Sequence, residues 1–120
     1  MNANLFGCYA EYKFAVMAME HDLLVSFPLL HTSIFDCIVQ SEKGLSRVQI
    51  KAINEDKRTR KRINLVDRSG RRYQKNDVDF FAIYSKQRDG FFIIKNDLKI
   101  QSFTVGLEKY SIYFNNFALL

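Results

Sequence analysis

Ile34-Phe35-Asp36-Cys37-Ile38-Val39-Gln40, then Ser41-Glu42-Lys43-Gly44, then Leu45-Ser46-Arg47-Val48-Gln49-Ile50-Lys51-Ala52-Ile53 reads as two strands joined by a polar turn that ends on glycine. Phe35 to Gln40 and Leu45 to Ile53 are rich in β-branched residues and alternate in polarity, as half-buried strands do. A turn centred between Glu42 and Lys43 sets Asp36 opposite Gln49. Directly opposed residues share a face, with side chains about 5 Å apart. Lys51 lies two residues beyond Gln49 and falls on that same face, because strand side chains alternate. Asp36, Gln49 and Lys51 therefore converge, while Val48, Ile50 and Ala52 turn away into apolar packing. Such a cluster of polar groups on a core face calls for a chemical reason.

Outward from this hairpin the chain keeps one organisation. Residues 3 to 20 predict a helix, because Leu5, Phe6, Tyr9, Phe14, Met17 and Ala18 recur at steps of three and four. Asn2 or Asn4 is placed to cap it. Leu23 to Phe27 predicts a strand ended by Pro28, followed by a loop through His31, Thr32 and Ser33, where both His21 and His31 read as ordinary surface residues. Beyond the hairpin, Ile63 to Val66 and Arg71 to Gln74 predict a ribbon turned by Asp67-Arg68-Ser69-Gly70. Phe80 to Tyr84 and Phe91 to Lys95 predict a second hairpin around Arg88-Asp89-Gly90. From about Leu107 to Leu120, Tyr110, Tyr113, Phe114 and Phe117 have helical spacing, as a core-facing segment or a candidate interface. No repeat, low-complexity linker or boundary divides the chain, so residues 1–120 read as one α/β domain. A mixed central sheet flanked by helices is expected, with residues 54–76 as a basic β-ribbon insertion.

Composition narrows the partners. With 48% apolar and 14% aromatic residues, the 120-residue chain carries enough apolar side chains for one core. No apolar run reaches the roughly 20 residues of a bilayer span, and Glu11 and Lys13 interrupt any apolar leader. Cys8 and Cys37 lack metal-site spacing and read as free thiols in a reducing compartment, with the interior of a bacterial cell as the expected location. The net charge of +5 is unevenly spread. Lys57, Arg58, Arg60, Lys61, Arg62, Arg68, Arg71, Arg72 and Lys75 stand against Asp67 alone, so that stretch carries +8 and the rest −3. Charge gathered into one segment suits a polyanion, and these nine residues are the candidate DNA contacts. A ribbon of this kind also fits the major groove, where arginine forks read guanine edges.

The converging residues match the needs of phosphodiester hydrolysis. That reaction uses a hard divalent cation on oxygen ligands and a group that orients the attacking water and offsets developing charge. Asp36 brings a carboxylate, Gln49 an amide oxygen and Ile50 a backbone carbonyl, while Lys51 suits the water and phosphate role. Glu11 adds a second carboxylate if the first helix packs across the sheet edge. Singly, each has a plainer reading: Asp36 with Lys51 as a cross-strand ion pair, Glu11 as a solvated helix residue, Gln49 as a core hydrogen-bonding group. In this order and geometry the chemical reading accounts for all of them.

These residues resemble a known family. Ile34 to Val39 followed by Arg47-Val48-Gln49-Ile50-Lys51 is similar to the bipartite motif of the PD-(D/E)xK nuclease superfamily, and Gly7-Cys8-Tyr9-Ala10-Glu11 to its first-helix glutamate motif. Weaker similarity runs from Tyr73 through Asp77-Val78-Asp79 to the Phe80–Tyr84 strand, and again from Lys109 to Leu120. Phe35 replaces the name-giving proline, and Gln49 stands where a second carboxylate is usual. The pattern most resembles the cyanobacterial group I intron homing type. The resemblance implies a restriction-endonuclease-like core and catalytic Glu11, Asp36, Gln49 and Lys51. It also implies one or two Mg²⁺ ions, replaceable by Mn²⁺, on Glu11, Asp36, Gln49 and the Ile50 carbonyl. The implied activity is sequence-specific cleavage of double-stranded DNA. A double-strand break needs paired sites, hence a homodimer or tetramer. Junction resolvases and restriction enzymes share such a core, and a non-catalytic DNA-binding module or an RNA or protein adaptor are the readings from other classes.

Overall fold

A computed structural model describes residues 1–57 and 61–120. Helix α1, Ala3–Glu20, begins where Asn2 accepts a 2.8 Å hydrogen bond from the Leu5 N–H, which satisfies one of the open donors of its first turn. Phe6, Ala10, Phe14 and Ala18 recur every four residues and are buried, so this stripe faces the sheet.

The sheet contains β1 (Leu24–Ser26), β2 (Cys37–Ser41), β3 (Gly44–Ile53), β5 (Phe80–Ser85) and β6 (Gly90–Lys95), in the spatial order β1-β2-β3-β5-β6. Adjacent pairs are antiparallel except β3 and β5, which run parallel. The parallel pair makes the sheet mixed and demands a long crossover, which residues 54–79 supply. The β2–β3 hairpin has the expected register, with Ile38 opposite Arg47 and Cys37 opposite Val48. Gly44, at φ +115°, closes its turn in a conformation that side chains resist.

Two cores lie on the two faces of the sheet. Val39, Val48, Ile50, Tyr84, Phe91 and Ile93 pack beneath α1. Ile53, Phe81, Ile83, Phe92 and Ile94 pack on the opposite face against Tyr73, Val78, Phe103 and Tyr110. That second face is covered by a small sheet of β4 (Arg62–Asn64) with β7 (Ser102–Thr104) and by irregular segments.

Three local expectations change here. The ribbon pairing of Ile63–Val66 with Arg71–Gln74 is reduced to one bridge, Val66 with Arg72, because β4 pairs with β7 instead. Ile63 opposite Phe103 buries both side chains in the second core, which the Arg71–Gln74 segment offers only through Tyr73. The terminal segment forms short 3-10 turns, Glu108–Tyr113 and Phe117–Leu119, rather than a helix. Its aromatics turn largely inward: Tyr110 fills the second core and Phe117 the first, on opposite sides of β6, with Tyr113 and Phe114 partly buried against the second. Among the described residues no helix is long and apolar enough to cross a membrane.

Candidate active site

β2 begins at Cys37, opposite Val48, so the remaining residues of β3 pair with β5 on one side only. Their other edge is open, and the chain just before β2 fills its start. The Asp36 N–H donates to the Val48 carbonyl at 2.9 Å, and the Asp36 carboxylate accepts from the Ile50 N–H at 2.7 Å. Asp36 thus replaces the missing ladder partner with a side chain. The N–H and C=O of one strand residue point the same way, so the Ile50 carbonyl opens toward this edge too.

The other groups approach from both faces. Glu11 comes from α1 and hydrogen-bonds Asp36, bringing two carboxyl groups into contact. Burial first, and then the neighbouring Asp36 charge, push the Glu11 carboxyl up to about 7. Asp36 is also raised by burial, against the opposing pull of the Ile50 N–H, Glu11 and Lys51. From the opposite face come Gln49 and Lys51, beside Phe81 and Ile83 of β5. Lys51 donates 2.9 Å to the Val66 carbonyl and lies 5.4 Å from the centre of the Tyr73 ring. Burial lowers its ammonium group while Asp36 pulls the other way.

Gln49 Oε1 is the one buried side-chain polar atom, among the described residues, without a hydrogen-bond partner. A buried amide oxygen left unmatched costs about 1–3 kcal/mol, so such atoms are rare without a purpose. Two touching carboxyl groups and an unmatched amide oxygen make an oxygen donor set that fits a hard divalent cation. No group of three or more His, Cys, Asp or Glu side chains that could hold a metal occurs among the described residues, so a cation held here would have to draw on the amide and the Ile50 carbonyl as well.

Two adjoining clefts open onto these residues. One, of about 620 Å³, passes Gly7, Gln49, Ile50 and Lys51. The other, of about 310 Å³, passes His31, Asp36 and Gln49. Both share Gln49, Asp67, Arg68 and Tyr73 as a common wall. The Asp67–Gly70 turn that carries Arg68 is tightly built. The Asp67 carboxylate accepts from the Ser69 N–H and hydroxyl and from the Arg71 N–H, which hold it down at about 2. Gly70 takes φ +86° to close the turn.

The basic residues divide in consequence. Arg68 faces the clefts and acts electrostatically on Asp36. Arg71 is bridged to Asp67 and Asp77, and Arg72 donates to the Leu98 carbonyl. Lys57 donates to the Met1 carbonyl at the rim of the larger cleft. Arg62 and Lys61 are exposed on or beside β4. Lys75 lines a separate cavity with Lys43 and Lys95. Arg58 and Arg60 lie outside the described residues. The structure therefore brings together Glu11, Asp36, Gln49, Ile50 and Lys51, and adds Tyr73 and Arg68 as neighbours. Cys37 is buried, its thiol pushed up to about 12, and Cys8 is exposed; both are free.

A five-stranded mixed sheet whose third strand leaves an open edge, with an Asp before it, Gln-x-Lys on it and a helix glutamate above, is the arrangement of one nuclease class. The sequence profile of the PD-(D/E)XK endonucleases matches residues 1–109, and the chain belongs to that family. It is a nuclease, of a kind that acts on DNA and in general uses divalent metals. Its fold is similar to the solved structure of a bacterial homing endonuclease, I-Ssp6803I, with a TM-score of 0.75 over 99% of this chain and 93% of that one, at 20% identity. No curated protein matches the chain in sequence.

Proposed function

We propose that this nuclease is a Mg²⁺-dependent endonuclease of homing type that cuts double-stranded DNA at a specific sequence. The observation that carries the proposal is the unmatched, buried Gln49 Oε1 beside the hydrogen-bonded Glu11 and Asp36 carboxyl groups. Glu11, Asp36, Gln49 Oε1 and the Ile50 carbonyl would hold the cation. When bound, it would polarise a phosphoryl oxygen and acidify water.

The chain's own residues supply the rest. Lys51, half-buried and aimed by the Val66 carbonyl, positions the attacking water and meets charge developing on the phosphate. Arg68, at the tip of the Asp67–Gly70 turn, closes over the phosphate from the other side of the clefts. Lys57, Lys61, Arg62, Arg71, Arg72 and Lys75, with Arg58 and Arg60, extend the positive surface along the flanking duplex. The Asp67–Gly70 turn and the small β4–β7 sheet, rather than a long ribbon, present Arg62, Arg68, Arg71 and Arg72. The similarity of fold to a homing endonuclease supports the homing type over other nucleases of this class. One site cuts one strand, so a double-strand break calls for a homo-oligomer.

The test is incubation with a random-site duplex library and Mg²⁺, followed by sequencing of the ends. Recurrent ends at one sequence, absent for Lys51→Ala although that variant still binds DNA, are expected. Preferred cleavage of a four-way junction would overturn the homing reading. Binding without any nick in Mg²⁺ or Mn²⁺ would overturn the catalytic one.

A further inference from the structure

Helix α1 carries two apolar stripes, and the sheet uses only one. Leu5, Tyr9, Tyr12, Val16 and Met19 lie on the side nearly opposite Phe6, Ala10, Phe14 and Ala18, at a turn of 3.6 residues. Their relative exposures are 55%, 38%, 64%, 50% and 55%. Phe27, 47% exposed, extends the stripe through a ring contact with Tyr12 at 5.8 Å. A helix apolar on both sides is normally buried on both sides. Tyr9 meets the inner core at the margin of the stripe, edge-on to Tyr84 at 6.0 Å, and among the described residues the rest of the outer face is left half or more exposed.

We infer that the outer face of α1 is a homodimer surface, on which α1 of one copy packs against α1 of a second. The spacing of the stripe points to this occupant. Successive steps of four, three, four and three residues make the seam that paired helices bury against each other. The area points the same way. These six side chains expose on the order of 700 Å², comparable to the about 800 Å² that each partner contributes to a standard interface. It also exceeds most apolar patches left bare on monomers.

Charge argues against other occupants. Residues 1–20 hold one lysine against two glutamates, so the helix lacks the cluster of cations that a polyanion or lipid headgroups would draw on. A symmetric interface places the same seam on both copies, as self-packing requires. Because Glu11 sits on this same helix, the seam would fix one metal site relative to the other. The inference draws on the proposed function only for why two sites are useful.

Sedimentation equilibrium of the full chain at micromolar concentration tests it, independently of cleavage. Twice the chain mass is expected for the wild type, and a more than 100-fold weaker dimer for Val16→Glu, with an unchanged far-UV spectrum. If that variant misfolds, Met19→Lys near the end of the helix carries the same expectation. Leu45→Glu, at a 69% exposed residue of the β2–β3 hairpin outside the seam, should remain a dimer. A monomeric wild type overturns the inference, whether or not it binds neutral phosphatidylcholine vesicles. So does a dimer indifferent to Val16→Glu and Met19→Lys.

Discussion

The Asp36 carboxylate takes the place of a strand: it accepts the Ile50 N–H at 2.7 Å where β2 has not yet begun. One oxygen is thereby committed to the backbone, and the carboxyl is oriented toward Glu11. Position and direction are set by the main chain of β3, which also carries Gln49 and Lys51. The candidate metal ligands and the lysine are thus fixed to one rigid element, except for Glu11.

Removing the charge of Glu11 should strengthen the metal-free protein while abolishing its response to metal. Its pKa is raised from an unfolded value near 4.5 to about 7. The folded state therefore holds more protons between those values, and stability falls as pH rises through that window. Glu11→Gln should flatten this decline and add about 1–2 kcal/mol at pH 7, discounted for partial exposure of the side chain. Thermal melts at pH 5 and 7.5, with and without Mg²⁺, check it. A Mg²⁺-induced rise that survives in the variant would remove Glu11 from the ligand set.

Gln49→Glu should lower the Mg²⁺ concentration needed for half-maximal cleavage by about tenfold, since a carboxylate adds charge where the amide has none. The metal-free variant should melt earlier, because a third carboxyl group then joins the pair. A metal titration of activity together with a melt decides. An unchanged titration midpoint would mean that Gln49 Oε1 does not ligate.

Arg68→Ala should reduce kcat by about 100-fold, the usual effect of deleting one donor to developing charge. Duplex affinity should change far less. Arg68→Lys should recover part of the rate, because the charge returns without the planar fork. Single-turnover cleavage beside a binding titration separates the two effects. Equal losses in both would make Arg68 an ordinary backbone contact.

Asp79 ties the strand before the crossover to the strand after it. Its carboxylate accepts from the Arg47 N–H at 2.7 Å and from the guanidinium at 3.0 and 3.1 Å, which hold it below the usual carboxylate range. A depressed pKa contributes stability above the unfolded value and loses it as pH falls through the folded one. Asp79→Asn should cost about 1 kcal/mol at neutral pH, since both partners are partly exposed, and should weaken the acid dependence below about pH 4. Urea melts at pH 3.5 and 7 measure both.

The β2–β3 hairpin was legible residue by residue because a four-residue polar turn fixes its register locally. Asp36 opposite Gln49, with Ile50 turned inward, follows from that alone. The partner of β4 was hidden, since alternation around Ile63 marks a strand but not its neighbour, and Phe103 lies forty residues away. The terminal aromatics misled for another reason. Tyr110 and Phe117 have helical spacing yet enter different cores, and between them Asn115, at φ +51°, binds the edge of β6 through both its N–H and its side chain. The charge run showed a basic segment but not that Arg68, alone among its described residues, occupies a turn tip over the site. Both apolar stripes of α1 were in the sequence, where the outer one was merged with the inner as a single helical signal.

The parallel pairing of β3 with β5 orders the steps by which the protein folds. The β2–β3 hairpin closes over a few residues, and such hairpins form in about 1–10 μs. Asp36, Gln49 and Lys51 are neighbours from that moment. The β3–β5 contact must first close the long crossover, an entropic cost met before any parallel ladder forms. Only then do Phe81 and Ile83 settle beside Gln49 and Lys51 and the Asp67 turn swing into place. A chain that folds in this order holds Asp36, Gln49 and Lys51 together early but solvated and gains a water-excluding wall last, so the candidate site is completed by the final packing event rather than by the motif.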